Sequence, residues 1–282
     1  MDFRLSKEQE MLRAMFREFC LNEVKPIAAE VDEQERFPWE TVKKMGELGM
    51  MGVYFPREYG GGGADVLSYA MCVEELGKVC GTTSIIVSSH TSLCCAPIFE
   101  FGTEEQKRRY LPDLLKGKKV GAFGLTEPAA GTDASALETT AGLDGDHYIL
   151  NGTKIFITNG GASETYIIFA VTDRSKGHRG ISAFIVERDF PGFSVGREEK
   201  KMGIRGSSTA ELVMEDCVVP KENLLGREGQ GFRIALHTLD GGRIGVAAQA
   251  LGLGEGAIDE AIAYTKERMQ FGRRISQFQW TQ

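Results

Sequence analysis

Two stretches carry residue types that could bind or transform a ligand. The first is FGLTEPAAGTDAS, residues 123–135. Alanine, glycine and threonine bring little hydrophobic burial, but they let backbone N–H groups approach a ligand closely. A threonine hydroxyl adds a neutral donor, and together these suit a pyrophosphate. The pattern is neither a Gly-x-Gly-x-x-Gly turn nor a Walker loop. The plainer reading is a strand that ends at Pro128 and exits into a loop. Glu127 in this stretch could serve as a general acid. A carboxylate just before proline is better read as a holder of neighbouring backbone N–H groups.

The second stretch is KIFITNGG, residues 154–161. Strand alternation would put Phe156 and Thr158 on one face. A ring beside a hydroxyl could stack on a flat cofactor while the hydroxyl donates to it; a core Phe with a solvated Thr is the ordinary alternative. In LDGGRIG (239–245), Asp240 and Arg243 stand one helical turn apart, as a surface ion pair or as part of a site. His90, His147, His178 and His237 are scattered, so no metal site is expected. No Ser-His-Asp or Cys-His arrangement emerges from spacing.

The elements that must position these residues fall into three blocks. Ser6 with Gln9 and Thr103 with Gln106 fit capping boxes, and residues up to about 115 read as helices. Pro38 suits a helix start, with Val42, Met45 and Leu48 inward and Gly49 as the stop. From about Val120 the pattern turns to β. HYILNGTKIFITNGG (147–161) reads as two strands around an Asn151-Gly152 hairpin turn. Further strands are expected at 165–172, 180–187 and 210–216. With no interleaved helices, this block is expected to be an antiparallel barrel or sandwich. Helix returns from about Gly231 to Arg268. It carries Gly241, Gly242, Gly245, Gly252, Gly254 and Gly256, each costing about 1 kcal/mol relative to alanine. Either helix backbones pack very closely there, or a ligand lies on that face.

The chain has 282 residues, 42% hydrophobic and 26% charged, with a formal net charge of -7. That suits a folded protein with a sizeable core and argues against nucleic acid as a partner. Six cysteines without a Cys-x-x-Cys pair read as reduced, buried thiols. The N-terminus shows neither signal nor transit character, and no stretch reads as a membrane span, so a bacterial-type cytoplasmic location is expected. The ending SQFQWTQ lacks a cap or polar tail and reads as an interruption.

REYGGGG, HTSLC followed by FGTEEQKRRYLP, LTEPAAGTD, NGTKIFITNG, KMGIRGSST, LDGGRIGVAAQALG and ERMQFGRRISQFQ occur in an order and spacing that resemble the acyl-CoA dehydrogenase family, most closely its short-chain (butyryl-CoA) members. The resemblance implies an α+β protein: an N-terminal helical domain (1–118), a central β domain (119–228) and the first part of a C-terminal four-helix bundle (229–282). It implies FAD between the β domain and the bundle. Phe123, Leu125 and Thr126 would line the flavin ring, Gly131 and Thr132 would approach the pyrophosphate, and Phe156, Ile157 and Thr158 would cover the other side. Many relatives have Trp where Phe156 stands, so the stacking is kept and an indole donor lost. Thr132, Asp240, Gly241, Gly242 and Arg243 would contact the acyl-CoA. Arg268, Phe271 and Gln279 would reach the FAD of a neighbouring subunit, implying a dimer of dimers.

The implied reaction is α,β-dehydrogenation of a short-chain acyl-CoA to the trans-2-enoyl-CoA. The acceptor would be an electron-transfer flavoprotein. The family's usual catalytic Glu would lie beyond Gln282, and the alternative position just before Arg243 is Gly242. No general base is therefore expected within these residues. The alternative is a non-catalytic or unstable fragment that binds FAD or CoA.

Overall fold

The computed structural model describes residues 4–282. The N-terminal region is helical. α1 (Lys7–Phe19) opens with a reciprocal capping box, in which Gln9 N–H donates to Ser6 Oγ at 3.2 Å and Ser6 N–H to Gln9 Oε1 at 2.9 Å. A π-turn (Cys20–Val24) leads into α2 (Lys25–Glu33). α3 (Trp39–Glu47) starts after Pro38 and is followed by Gly49 at φ 74°, the left-handed stop that glycine adopts without a Cβ penalty. Val42 and Met45 are fully buried as the spacing predicts, but Leu48 is exposed.

α4 (Val66–Val79) lies at the centre of the helical layer. The following run comprises α5 (Gly81–Ser89), a π-turn (His90–Cys95) and α6 (Ala96–Phe101). Against expectation, this 21-residue run is long and apolar enough by length and composition to cross a membrane. It is mostly buried within the protein, which marks a core helix. α7 (Glu104–Leu115) opens with the Thr103–Gln106 capping box.

The β region holds one sheet. Its strands are β1 (Gly121–Gly124), β2 (Thr140–Asp144), β3 (His147–Thr158), β4 (Thr165–Val171), β5 (Ile181–Glu187), β6 (Phe193–Glu198), β7 (Thr209–Pro220) and β8 (Leu224–Leu225). The order is β6-β7-β3-β2-β4-β5-β8, with β1 added against β4. Most pairs are antiparallel, but β1 runs parallel to β4, and β2 meets β4 in parallel at Thr140 and Val171.

The Asn151-Gly152 hairpin does not form, because β3 runs straight through it. Asn151 instead bonds across to Asp216, accepting from its N–H at 2.8 Å and donating to its Oδ1 at 3.0 Å. A register shift between Leu150 and Gly152 absorbs the irregularity. The turn lies earlier, at Gly145, where φ is 62°.

α8 (Gly231–Glu267) is one continuous helix of 37 residues. Five of the six glycines singled out above divide into two sets. A Cβ on Gly245 would stand 2.3 Å from the Tyr69 hydroxyl, and one on Gly252 or Gly256 would stand 2.2 Å from the Glu74 or Lys78 carbonyl oxygen. Gly241 and Gly254 face open space. Close packing against α4 and α5 therefore accounts for three of the six.

Candidate functional site

The loop after β1 and the second half of β3 lie side by side. The Ile155 N–H donates to the Thr126 carbonyl at 3.0 Å. Phe123 and Leu125 are buried, and the Phe123 ring packs edge-on against Phe169 with centroids 4.9 Å apart. Thr126 is half-buried, whereas Gly131 and Thr132 are exposed. A Cβ added to Gly131 would meet nothing within 4 Å.

β3 does not keep its alternation here. The register against β7 slips between Lys154 and Ile157, and Phe156 sits at φ 60°. Few non-glycine residues adopt that conformation. The slip separates residues that strict alternation would place together. Lys154 is fully buried, the Phe156 ring is 60% exposed and Ile157 is buried. A large aromatic ring held outward at a strained bulge carries a cost that packing within the chain does not explain.

Thr158, two residues on, lines a cleft of about 560 Å³. Its other walls come from α5 and the π-turn (Ile85, Ser88, Ser89, Ser92, Leu93) and from α8 (Leu239, Gly242, Arg243, Val246, Ala247, Ala250). The lining is mainly apolar, and none of these side chains is a carboxylate. Gly242 admits Leu93: a Cβ at that position would lie 2.8 Å from Leu93 Cδ2.

Asp240 and Arg243 pair at 2.6 Å, both largely exposed. They face different spaces. Arg243 lines the cleft with Gly242, while Asp240 and Gly241 line a smaller one of about 240 Å³ beside Tyr69 and His237. Arg268, Phe271 and Gln279 lie in the exposed C-terminal segment and line neither cleft. A larger cleft of about 780 Å³, between the end of α3, Gly60-Gly61 and Lys116–Lys118, shares no residue with the loop or with β3.

Glu127 holds backbone N–H groups, as its place before proline suggests. It accepts from Glu138 N–H at 2.6 Å and Thr139 N–H at 3.1 Å. Sequence reasoning missed its third partner, Lys154, whose Nζ lies 2.6 Å from Glu127 Oε1. The available signal was a lysine amid the β-prone residues of NGTKIFIT. All six cysteines are free and buried, and the described residues hold no cluster of metal-ligating side chains.

The exposed ring of Phe156, the Thr158 hydroxyl and the open small-residue loop at Gly131 fit a flat, phosphorylated cofactor. The cleft lies where α5, the end of β3 and the glycine-bearing α8 meet. Three family models cover the chain: the acyl-CoA dehydrogenase N-terminal domain over residues 6–118, middle domain over 122–217 and C-terminal domain over 229–282. The chain belongs to the acyl-CoA dehydrogenase family. FAD is the cofactor of this family, whose solved members include one complexed with FAD.

A short-chain specific acyl-CoA dehydrogenase from Clostridium acetobutylicum is 66% identical, covering 99% of this chain and 74% of the relative. The solved butyryl-CoA dehydrogenase of Megasphaera elsdenii superposes with a TM-score of 0.96 at 50% identity, over 100% of this chain and 74% of that one. A chain from a structure described as the electron transferring flavoprotein of Acidaminococcus fermentans gives a TM-score of 0.97 at 58% identity, over 99% and 74%. This chain thus spans about three quarters of the length of these relatives.

Proposed function

We propose that these residues form the flavin cradle and much of the substrate wall of a short-chain acyl-CoA dehydrogenase. The reaction is removal of one hydrogen from each of the α and β carbons of an acyl-CoA thioester, giving the trans-2-enoyl-CoA. The observation that carries this is that Thr158, two residues after the outward Phe156, shares with Gly242 and Arg243 of α8 a mainly apolar cleft of about 560 Å³.

Phe123, Leu125 and Thr126 hold one side of the ring system, and Phe156, Ile157 and Thr158 the other. Gly131 and Thr132 leave room for the pyrophosphate. FAD, when bound, supplies the two-electron acceptor. Thr132, Asp240, Gly241, Gly242 and Arg243 hold the CoA thioester. Leu93, Leu239 and Val246 give the cleft an apolar wall, beside which a hydrogen bond to the thioester carbonyl is stronger than in water and favours loss of the α proton. Arg268, Phe271 and Gln279 serve the FAD of a neighbouring subunit, within a dimer of dimers. The acceptor of the electrons is an electron-transfer flavoprotein, a reading supported by the relatives named above.

No carboxylate lines the cleft among the described residues, and this reading has the α proton taken by a group that is not part of that lining. The same observation supports a second reading: without that group, the chain alone binds FAD or CoA and does not turn over.

The test of the substrate class is a titration of the FAD-loaded protein with thioesters of increasing chain length, read as perturbation of the flavin band. Butyryl-CoA should bind at least tenfold more tightly than palmitoyl-CoA. Equal affinities would remove the short-chain assignment.

A further inference from the structure

We infer that Lys154 and Glu127 form a buried positioning pair that clamps the loop after β1 to β3 and so sets the spacing of the two walls of the flavin cradle. The inference rests on the flavin reading for its consequence, and on geometry alone for the clamp.

The Lys154 side chain is 0% exposed and that of Glu127 3%. Burying two charges is unfavourable unless their hydrogen-bonding capacity is met. Here the two walls themselves supply two partners to the ammonium and three to the carboxylate. Lys154 Nζ donates to Glu127 Oε1 at 2.6 Å and to the Leu125 carbonyl at 3.3 Å. Glu127 accepts the Glu138 and Thr139 N–H groups at the far end of the loop. One ion pair thereby gathers the loop's start, its end and the strand bearing Phe156 and Thr158. The Ile155 N–H bond to the Thr126 carbonyl lies beside it.

Besides this pair, the loop is held by Ala130 and Leu137 in the core and by the Arg174 bond to the Glu138 carbonyl at 3.2 Å. Between Pro128 and Glu138 only Ala130 and Leu137 are buried, and its one regular element is the Glu127–Ala130 bridge. An apolar pair of equal volume could fill the same space, but it could not bind two N–H groups and a carbonyl in one arrangement. The pair is ionic at neutral pH. Desolvation pushes Lys154 down to about 8, which leaves it largely protonated at pH 7. Burial works to raise Glu127, but the charge and hydrogen bond of Lys154 overcome it and the carboxyl stays below its usual range.

The test compares wild type with the near-isosteric Glu127→Gln, with Lys154→Met and with the double variant. The readouts are FAD affinity of the apoprotein, visible-region circular dichroism of the bound flavin, and proteolysis within 128–136. Each single variant should bind FAD at least tenfold more weakly, change the flavin dichroism and be cut faster in the loop. The double variant should be no worse than the poorer single by more than twofold, because one unit is being broken. A lower apoprotein melting temperature with FAD affinity within twofold and unchanged dichroism would reduce the pair to a structural contact and overturn the inference.

Should Lys154→Met not fold, amide exchange in the wild-type apoprotein still decides. The Glu138 and Thr139 amides should exchange at least tenfold more slowly than those of Asp133 to Ala136, and equal rates would refute the clamp. Absence of FAD binding by wild type would defeat the flavin reading instead, and the exchange rates separate the two failures.

Discussion

A Cβ built on Gly252 of α8 would lie 2.2 Å from the Glu74 carbonyl oxygen of α4. No side chain fits that gap, so the two helices touch backbone to backbone. Gly254, two residues away, faces nothing within 4 Å. The pair makes a clean contrast. Gly252→Ala should destabilise the fold by about 2 kcal/mol, because α4 and α8 must part despite the gain in helix propensity. Gly254→Ala should stabilise it by about 0.5–1 kcal/mol. Urea unfolding of the two variants gives the signs directly.

The strained Phe156 predicts opposite effects on fold and ligand. Its ring is 60% exposed and its φ is 60°, so Phe156→Gly removes little burial and relieves the backbone. Apoprotein stability should stay level or rise by up to about 1 kcal/mol. Loss of an aromatic contact worth about 0.5–1.5 kcal/mol should weaken FAD binding about two- to twelvefold. Thermal melts and flavin fluorescence titrations on the same variant measure both.

His90 makes stability fall with acid. Burial drives its imidazole down to about 4. Nδ1 accepts the Gly121 N–H at 3.0 Å, which protonation there would abolish. The unfolded chain takes up this proton near pH 6.5 and the folded protein only near 4, so the unfolded state binds more protons between those values. The contribution is therefore complete above pH 6.5 and declines as pH falls towards 4, by up to about 3 kcal/mol. Denaturant unfolding at pH 7 and pH 5 should show a loss of about 2 kcal/mol in wild type that His90→Gln lacks.

Glu75 is 2% exposed and meets Arg13 at 2.9 Å, Arg17 at 3.0 Å and Lys78 at 3.3 Å. Glu75→Gln removes the carboxylate that Arg17 pairs with, while Arg13 keeps Glu74 and Lys78 keeps Glu74 and Glu255. It should cost about 2 kcal/mol, less than a fully buried pair would, because the arginines are partly solvated. The exposed Lys25–Glu260 pair at 2.8 Å is the control. Lys25→Ala should change stability by less than about 0.5 kcal/mol.

The sequence was most informative where one local rule dominates. Capping boxes at Ser6 and Thr103, the Gly49 stop and the span of α8 follow from short-range chemistry. Asn151-Gly152 misled because its hairpin preference lost to tertiary pairing: the Asn151 side chain is committed to Asp216 across the sheet. The parallel placement of β1 against β4 depends on a crossover that no local pattern encodes. At the site, the small residues of 129–131 and the Phe156/Thr158 pair were legible as types. The bulge that turns Phe156 outward and buries Lys154 was not, because a register slip against β7 leaves no mark in the alternation. The six glycines of α8 left packing and ligand contact undecided. The structure assigns Gly245, Gly252 and Gly256 to helix contacts and Gly242 to the edge of the cleft.

The most direct test of the central claim is an anaerobic visible spectrum of the FAD-loaded 282-residue protein before and after butyryl-CoA. The account predicts bound flavin whose long-wavelength band shifts on adding the thioester and stays unbleached, since the cleft is present and no carboxylate lines it. Bleaching would mean that a proton acceptor lies within these residues, and failure to retain FAD would mean that the loop and β3 do not form its cradle. Either result would contradict the account.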